Sequence, residues 1–396
     1  MWIIINTQLE QLLGLNPEAQ LLITNYKLPF THYSMPEKPK SLESQLQMAR
    51  PRRSEVKRVP LTVEEKEFLG EIMDKAVAAE KAGDLEKALG FYSDYKNELL
   101  KIKGKKEGEK IFELKEQYED QIETLKQNGL IKELPSGEMG FVDIKDQLRP
   151  IPSYDDILKK VEAKKELLEK KKEQGFTQFL IVPFGMKLSD MIEKAKELIL
   201  KKYEEGNLKG TNGNYIGIDD DNPVYMNGDY KEGNADISGD LVYFPEKYDQ
   251  ENHGGKTKKE ILKETDGWDI MFIEDMPDLP AEGKGKTIGN RKQLEANESP
   301  NEYLEKMQKE EQYKGESGMT PEGELTYFMH YLQRNNKVID DFEGSGKVNL
   351  NLGGYLKTSG GVCLSFWNLG TGRMGLGWDS PGGHNANKGV RSSARI

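Results

Sequence analysis

The chain has 396 residues, 36% of them hydrophobic and 32% charged, with 68 acidic against 57 basic side chains for a net charge of -11 and a pI of about 5.2. That length admits two cored domains, and the acidic excess excludes general affinity for nucleic acid, because the phosphate backbone needs a cationic face. One cysteine, Cys363, excludes an internal disulfide and does not imply an oxidising compartment.

The opening Met1-Trp2-Ile3-Ile4-Ile5 is apolar but has neither the basic leader nor the length of a signal peptide, and no later run approaches a membrane span. The expectation is therefore a cytoplasmic chain with no membrane insertion, export by another route being left open. Residues 1–60 carry Pro29, Pro36, Pro39, Pro51 and Pro60 among polar residues and read as an extended lead-in, with one amphipathic piece at Leu9 to Leu15. Its basic cluster, Arg50, Arg52, Arg53, Lys57 and Arg58, reads as a solvated linker.

Residues 61–175 read as an α-helical module. Thr62 and Glu65 form a capping box ahead of Phe68, Leu69 and Ile72. Ala78 to Tyr92 resembles the turn of a helical hairpin such as the tetratricopeptide unit, but without a second copy it predicts an ordinary antiparallel helix pair. A charged helix over Glu107 to Gln127 leads through a Gly/Pro-marked connection, Leu134 to Pro152, into a helix opened by Ser153 and Asp156. The charge-dense end of that helix, Lys164 to Gln174, predicts a solvent-facing arm or stalk.

At Phe176 the texture changes. Phe179 to Phe184 has strand length, and a helix follows with Leu188, Met191, Ile192, Ala195, Leu198 and Ile199 on one face. Strands are expected at Leu241 to Phe244 and Trp268 to Ile273, and helices capped by Ser299-Pro300-x-Glu302 and Thr320-Pro321. Val348 to Leu356 and short pieces at Val362 to Trp367, Arg373 to Trp378 and Val390 to Ile396 supply the closing strands.

That last segment, Ser359 to Ile396, alternates a sparse frame with a filler of Gly, Asn, Asp, Ser and His. With its Gly-Gly, Trp367, Arg373, Pro381 and closing Gly389-Val390-Arg391, it resembles the C-terminal end of the C-type-lectin fold of formylglycine-generating-enzyme type. More narrowly, it is similar to the variable protein of a diversity-generating retroelement, a likeness strongest over Phe176 to Ile396. In that family adenine-directed mutagenesis rewrites Asn codons into small and polar residues; Met374 and Lys388 do not fit that origin.

Beside the lead-in (1–60) and the helical module (61–175) read from the residues, the resemblance implies a C-type-lectin-like domain (176–396), so that the whole is an α+β chain. The same resemblance implies that Leu364, Phe366, Asn368, Leu369, Gly370, Gly372, Gly377, Trp378, Asp379, Gly382, Gly383, His384, Asn385 and Asn387 vary and bind ligand within 359–396. Trp367, Arg373, Pro381, Gly389 and Arg391 are the implied scaffold. The partner would be a macromolecular or surface ligand, a protein first, with no nucleic acid and no cofactor. The many glycines imply a shallow face.

Rival chemistries find little in the residues. Gly283-Lys284-Gly285-Lys286-Thr287 and Gly254-Gly255-Lys256-Thr257 lack the leading Gly of a P-loop, Pro280 and Gln250 standing there. Asp219-Asp220-Asp221-Asn222 offers oxygen ligands, yet Pro223 occupies a ligand position of the EF-hand loop. His32, His253, His330 and His384 have no metal-ligand spacing, so no metal ligand is assigned, calcium at Asp219 to Asp221 being left open. Formylglycine-generating enzymes use a pair of cysteines to bind copper, and Cys363 stands alone; the expectation is a binding protein, not an enzyme. The alternatives are a lectin-fold enzyme or cofactor-dependent protein of unknown activity, and a structural or adaptor protein working through its helical half.

Overall fold

The computed structural model describes residues 42–51 and 61–396. Most of the expected lead-in (residues 1–41 and 52–60), with its Leu9 to Leu15 piece and the basic residues Arg52, Arg53, Lys57 and Arg58, lies outside the described residues. Within it, Leu42–Ala49 forms a helix, α1, where an extended chain was expected.

The chain divides into two compact units, Met1–Leu99 and Leu100–Ile396. The first holds α1 and the pair α2 (Val63–Lys81) and α3 (Leu85–Phe112), the latter running across the unit boundary. The Thr62–Glu65 capping box forms as expected, with Glu65 N on Thr62 Oγ1 at 3.2 Å. Leu46, Ala76, Ala79, Ala88 and Tyr92 make a small core, and Tyr92 donates to Glu80 at 2.9 Å. Arg50 is exposed, as expected of a solvated residue, and pairs with Glu80.

The second unit is α+β. It opens with α4 (Leu114–Gln127) after a break at Glu113, which adopts a left-handed conformation at φ 51°. Three short antiparallel strands follow, β1 (Lys132–Glu133), β2 (Met139–Val142) and β3 (Leu148–Pro150), then α5 (Tyr154–Ala163) and α6 (Lys165–Glu173). The helical module was expected to end at residue 175, but Leu114, Leu125, Phe141, Ile157, Val161 and Leu168 bury themselves in the same core as Phe179, Met271 and Phe328. The compact division therefore falls at Leu99, not at 175. Nor is α6 a solvated arm: Lys171 is fully buried and its Nζ lies 2.6 Å from Glu316 Oε1. An internal cationic side chain of this kind persists only because a carboxylate compensates its desolvation.

Next come β4 (Phe176–Val182), α7 (Leu188–Glu204), β5 (Val224–Met226), the short α8 (Ala235–Ser238), β6 (Leu241–Tyr243), β7 (Lys256–Thr257), α9 (Lys258–Ile261) and β8 (Asp269–Glu274). The β9 (Thr287–Ile288) and β10 (Arg291–Lys292) hairpin precedes α10 (Pro300–Lys309), β11 (Glu316–Gly318), α11 (Pro321–Asn335) and β12 (Asp341–Phe342). The chain closes with β13 (Val348–Leu356), β14 (Gly361–Asn368), β15 (Arg373–Asp379), β16 (Lys388–Gly389) and β17 (Ser392–Arg395). The Ser299 capping box with Pro300 in the first turn, and the Thr320 cap, are both formed.

Two sheets organise this unit. One runs β11-β17-β8-β4; the other runs β5-β15-β14-β13-β6-β7, with β12 added to β14 and β16 to β13. The outer edge of β4 is not left open, because Phe179 N donates to Gln117 Oε1 at 2.7 Å and Gln117 Nε2 to Thr177 O at 2.9 Å. Side chains of α4 thus take the place of a further strand, which protects the edge from pairing with another chain.

Strand alternation gives the second sheet two distinct faces. Cys363, Trp367, Met374 and Leu376 join the main core. Val348, Leu350, Leu352, Val362 and Leu364 point the other way, into a second cluster with Tyr303 and Met307 of α10, Leu294, Tyr313 and Val390. Among the described residues no helix is long and apolar enough to cross a membrane.

Candidate ligand-binding face

The expected variable segment begins as β14 and β15, an antiparallel pair in unbroken register from Val362↔Asp379 to Asn368↔Arg373. Leu364↔Gly377, Phe366↔Gly375 and Asn368↔Arg373 share the face that covers the second core cluster. That cluster buries Leu364, and Phe366 and Phe342 pack against its edge. Phe366, Asn368, Arg373 and Gly377 are partly exposed.

Phe366 does not stand alone. Phe342 of β12 meets it edge to face at 5.7 Å between centroids and 83° between planes, an arrangement aromatic pairs favour. Because β12 runs parallel to β14, with Asp341↔Trp367 and Phe342↔Asn368, Phe342 is set beside the segment by backbone pairing. Nothing in the terminal segment announces this residue; it lies in the two-residue β12, too short to carry a periodic signal.

The turn joining the strands is fixed locally. Thr371 N donates to Asn368 Oδ1 at 2.9 Å, and Leu369 N to Phe342 O at 3.2 Å. Arg373 is paired with Asp219, so this implied scaffold residue ties the hairpin to the Asp219–Asp221 loop. The three carboxylates there lie within 4.8 Å of one another, with Asp220 and Asp221 exposed.

After β15 the chain loops across the start of α10. Asn301 N donates to Pro381 O at 3.0 Å, and Nε2 of the exposed His384 lies 3.1 Å from Glu302 Oε2. The Ser299 backbone amide first, and then its hydroxyl, hold Glu302 below the usual carboxylate range. Lys388 Nζ closes the loop on Asp379 Oδ2 at 2.7 Å, while Asn387 N donates to Asn385 Oδ1 at 2.8 Å. Gly370, Gly382, His384 and Asn387 are exposed, and Leu369, Asp379, Gly383 and Asn385 are partly so.

Three expected ligand-binding positions are placed differently. Leu364 is 6% exposed and belongs to the second core cluster. Gly372 is buried at φ 65°, where a Cβ would come 2.6 Å from Ile218 Cα and 2.7 Å from Gly217 O; no side chain fits there. Trp378 points to the opposite side of β15 from Gly377, covers Gly361 and donates from Nε1 to Asp229. Gly377, Gly382 and Gly383 do have room, the nearest atoms to their Cβ positions being no closer than 3.4 Å.

The scaffold residues lie beneath. Trp367 is fully buried and stacks on Phe328 at 6.4 Å and 10°. The buried Arg391 guanidinium meets Asp340 Oδ2 at 2.8 Å and Glu324 Oε1 at 3.0 Å, donates to Met276 O at 3.0 Å and lies 4.8 Å over the Tyr327 ring. Its own amide donates to Asn349 Oδ1 at 2.9 Å. Burial depresses the charged state of such a group, but Asp340 and then Glu324 more than offset that and keep the guanidinium charged. Gly389 is buried where β16 pairs with β13.

The rival sites are built differently from their sequence appearance. In the Gly283–Thr287 loop the amides of Gly285 and Lys286 are taken by Glu295 Oε1 at 2.7 Å and Gln293 Oε1 at 3.0 Å, so they serve the loop itself. Thr257 caps α9. Burial pushes the Cys363 thiol up to about 12, the opposite of the depressed pKa that makes a cysteine reactive. No protein-family model, curated protein or solved structure matches the chain.

Proposed function

We propose that the chain is a non-catalytic, hypervariable ligand-binding protein, the variable protein of a diversity-generating retroelement, displaying diversified residues on a C-type-lectin-like scaffold of formylglycine-generating-enzyme type. The observation that carries the reading is the division of the last segment by burial. Trp367, Gly389 and Arg391 are buried, while the filler positions other than Leu364 and Gly372 are at least partly exposed. Exchanging solvent-facing loop residues leaves no cavity in the core, so such a segment can be rewritten without loss of fold.

The glycines at 375 and 377 would keep the face around Phe366 and Phe342 shallow. Aromatic anchors supply most of the energy in recognition surfaces of this kind, so Phe366 is the residue on which binding by this variant depends. The ligand would be a macromolecule or a surface, a protein first.

The test is deep sequencing of the 3′ end of the gene across a natural population of its source. Substitutions confined to the filler, with Trp367, Arg391 and Gly389 held fixed, are expected, together with a near-copy of the segment differing at adenines beside a reverse-transcriptase gene. A uniform spread of substitutions would overturn the reading.

A further inference from the structure

Behind the face, three loops bring oxygen atoms together without a cation to balance them. Asp341 opens β12, and Asp278 lies on the loop after β8. The two loops are joined where Asp340 N donates to Pro277 O at 2.9 Å, and Thr211 comes in from a third. Ser345 Oγ lies 2.8 Å from Asp278 Oδ2 and 2.6 Å from Thr211 Oγ1, which itself stands 3.4 Å from Asp341 Oδ2. Thr211 N donates to the same Asp341 oxygen at 3.2 Å.

Two features set this cluster apart from an ordinary acidic loop. Asp341 is 0% exposed, yet its Oδ1 is a buried oxygen with no hydrogen-bond partner, and so is Oδ1 of Asp278. Among the described residues neither carboxylate has a Lys, Arg or His within ion-pair distance. The nearby ammonium of Lys337 reaches the Thr211 carbonyl, at 3.4 Å. Three oxygen–oxygen contacts link the two hydroxyls and two carboxylates, while the hydroxyls own only two protons. The set is short of positive charge.

The backbone is cut to fit. A Cβ on Gly344 would fall 2.7 Å from Asp341 Oδ2, one on Gly210 2.7 Å from the same atom, and one on Gly346 2.4 Å from Asp278 Oδ1. A buried carboxylate oxygen without a partner, as Asp341 Oδ1 is, is costly unless a cation compensates it.

We propose that Asp278 and Asp341, with the hydroxyls of Thr211 and Ser345, bind a divalent hard cation, calcium. Every donor is oxygen, which suits calcium or magnesium and not zinc or copper. Donors drawn from three separate loops favour the irregular coordination calcium accepts over the octahedron magnesium demands. Two carboxylates balance the charge, and water or backbone carbonyls complete the shell. The site would pin the loop that carries Phe342 to the end of β8, and it stands whether or not the face above binds a ligand.

The experiment is calorimetric titration of the full chain, stripped with EDTA, with calcium chloride and with magnesium chloride, alongside thermal melts. One calcium per chain, a higher melting temperature in millimolar calcium and a weaker response to magnesium are expected. D278N and D341N should each weaken calcium binding at least tenfold, and S345A, at an exposed position, less. If D341N fails to fold, D278N and S345A decide. No calcium heat and no melting shift would overturn the proposal, since a protonated Asp341 would then supply the missing charge balance. So would calcium binding that survives D278N and D341N but disappears in a D220N/D221N chain.

Discussion

Phe366 stands directly across from Gly375 on the neighbouring strand, and a Cβ on that glycine would come within 2.6 Å of the ring's Cζ. The ring occupies the space that the missing side chain leaves, covering a glycine that would otherwise weaken the strand.

The sign of a substitution at Gly375 therefore depends on Phe366. Gly375→Ala should cost about 1 kcal/mol or more, as overpacking does, by swinging the ring away from Phe342. In a Phe366→Ala background the same change should be neutral or stabilising by about 0.5 kcal/mol, since alanine loses less backbone entropy than glycine in a strand. Chemical denaturation of the four proteins in a double-mutant cycle gives the coupling; equal effects in both backgrounds would show that the ring does not cover the glycine.

Arg391→Met should cost about 3–5 kcal/mol, because it leaves Asp340 and Glu324 buried without their cation. Asp340 is wholly buried and the Arg391 side chain is 0% exposed, so solvent does not screen the loss. By contrast, Lys309→Met should change stability by less than about 0.5 kcal/mol, since its partner Glu305 and it are both solvated. Urea midpoints read both.

Local signals found the elements wherever caps and periodicity were strong. Thr62, Ser299 and Thr320 start helices as their neighbours dictate, and the apolar stripe from Leu188 to Ile199 is core. What the sequence hid was long-range compensation. Lys164 to Gln174 reads as solvated because nothing local reveals that Glu316, far along the chain, waits to neutralise Lys171. The strands at 132–150 are too short to show alternation. On the candidate face, exposure of the Gly- and Asn-rich loop was legible from composition. The burial of Leu364 and the reversed direction of Trp378 depend on strand parity and on which face α10 covers, and Phe342 comes from a two-residue strand too short to show a periodic pattern.

His330 makes stability fall in acid. Burial first, then the Arg334 charge, lowers its pKa from 6.5 to about 4. The ring meets Gln121 Nε2 at 3.0 Å and Gln178 Nε2 at 3.4 Å, with the Asp120 carboxylate 3.8 Å away as the opposing charge. The folded pKa is depressed, so below about 6.5 the unfolded chain takes up a proton that the folded chain refuses, and stability declines as pH falls from 6.5 towards 4. At about 1.4 kcal/mol per unit, the loss over that window is on the order of 3 kcal/mol. Denaturation at pH 7, 6 and 5 should show the decline, and His330→Gln should flatten it; an unchanged slope in the variant would assign the pH dependence to the carboxylates.

Gly372 and Gly382 both belong to the Gly-rich filler, yet they should respond in opposite ways. At Gly372 the left-handed backbone already disfavours a side chain, and Ile218 Cα and Gly217 O, both backbone atoms, stand where the Cβ would go. Rigid neighbours cannot yield as a ring tip can, so Gly372→Ala should cost about 2 kcal/mol or more through strain and overpacking together. Gly382 has nothing within 4 Å of its Cβ position and a φ outside the left-handed range, so Gly382→Ser, →Asp or →Tyr should shift stability by no more than about 0.5 kcal/mol. Melting the series side by side marks where the frame ends and the exchangeable surface begins. If Gly372→Ala melts with the parent chain, the hairpin turn can move away from the 217–218 backbone and belongs with the surface. If Gly382→Tyr unfolds the chain, the loop over α10 is part of the frame, and the candidate face contracts to the strands.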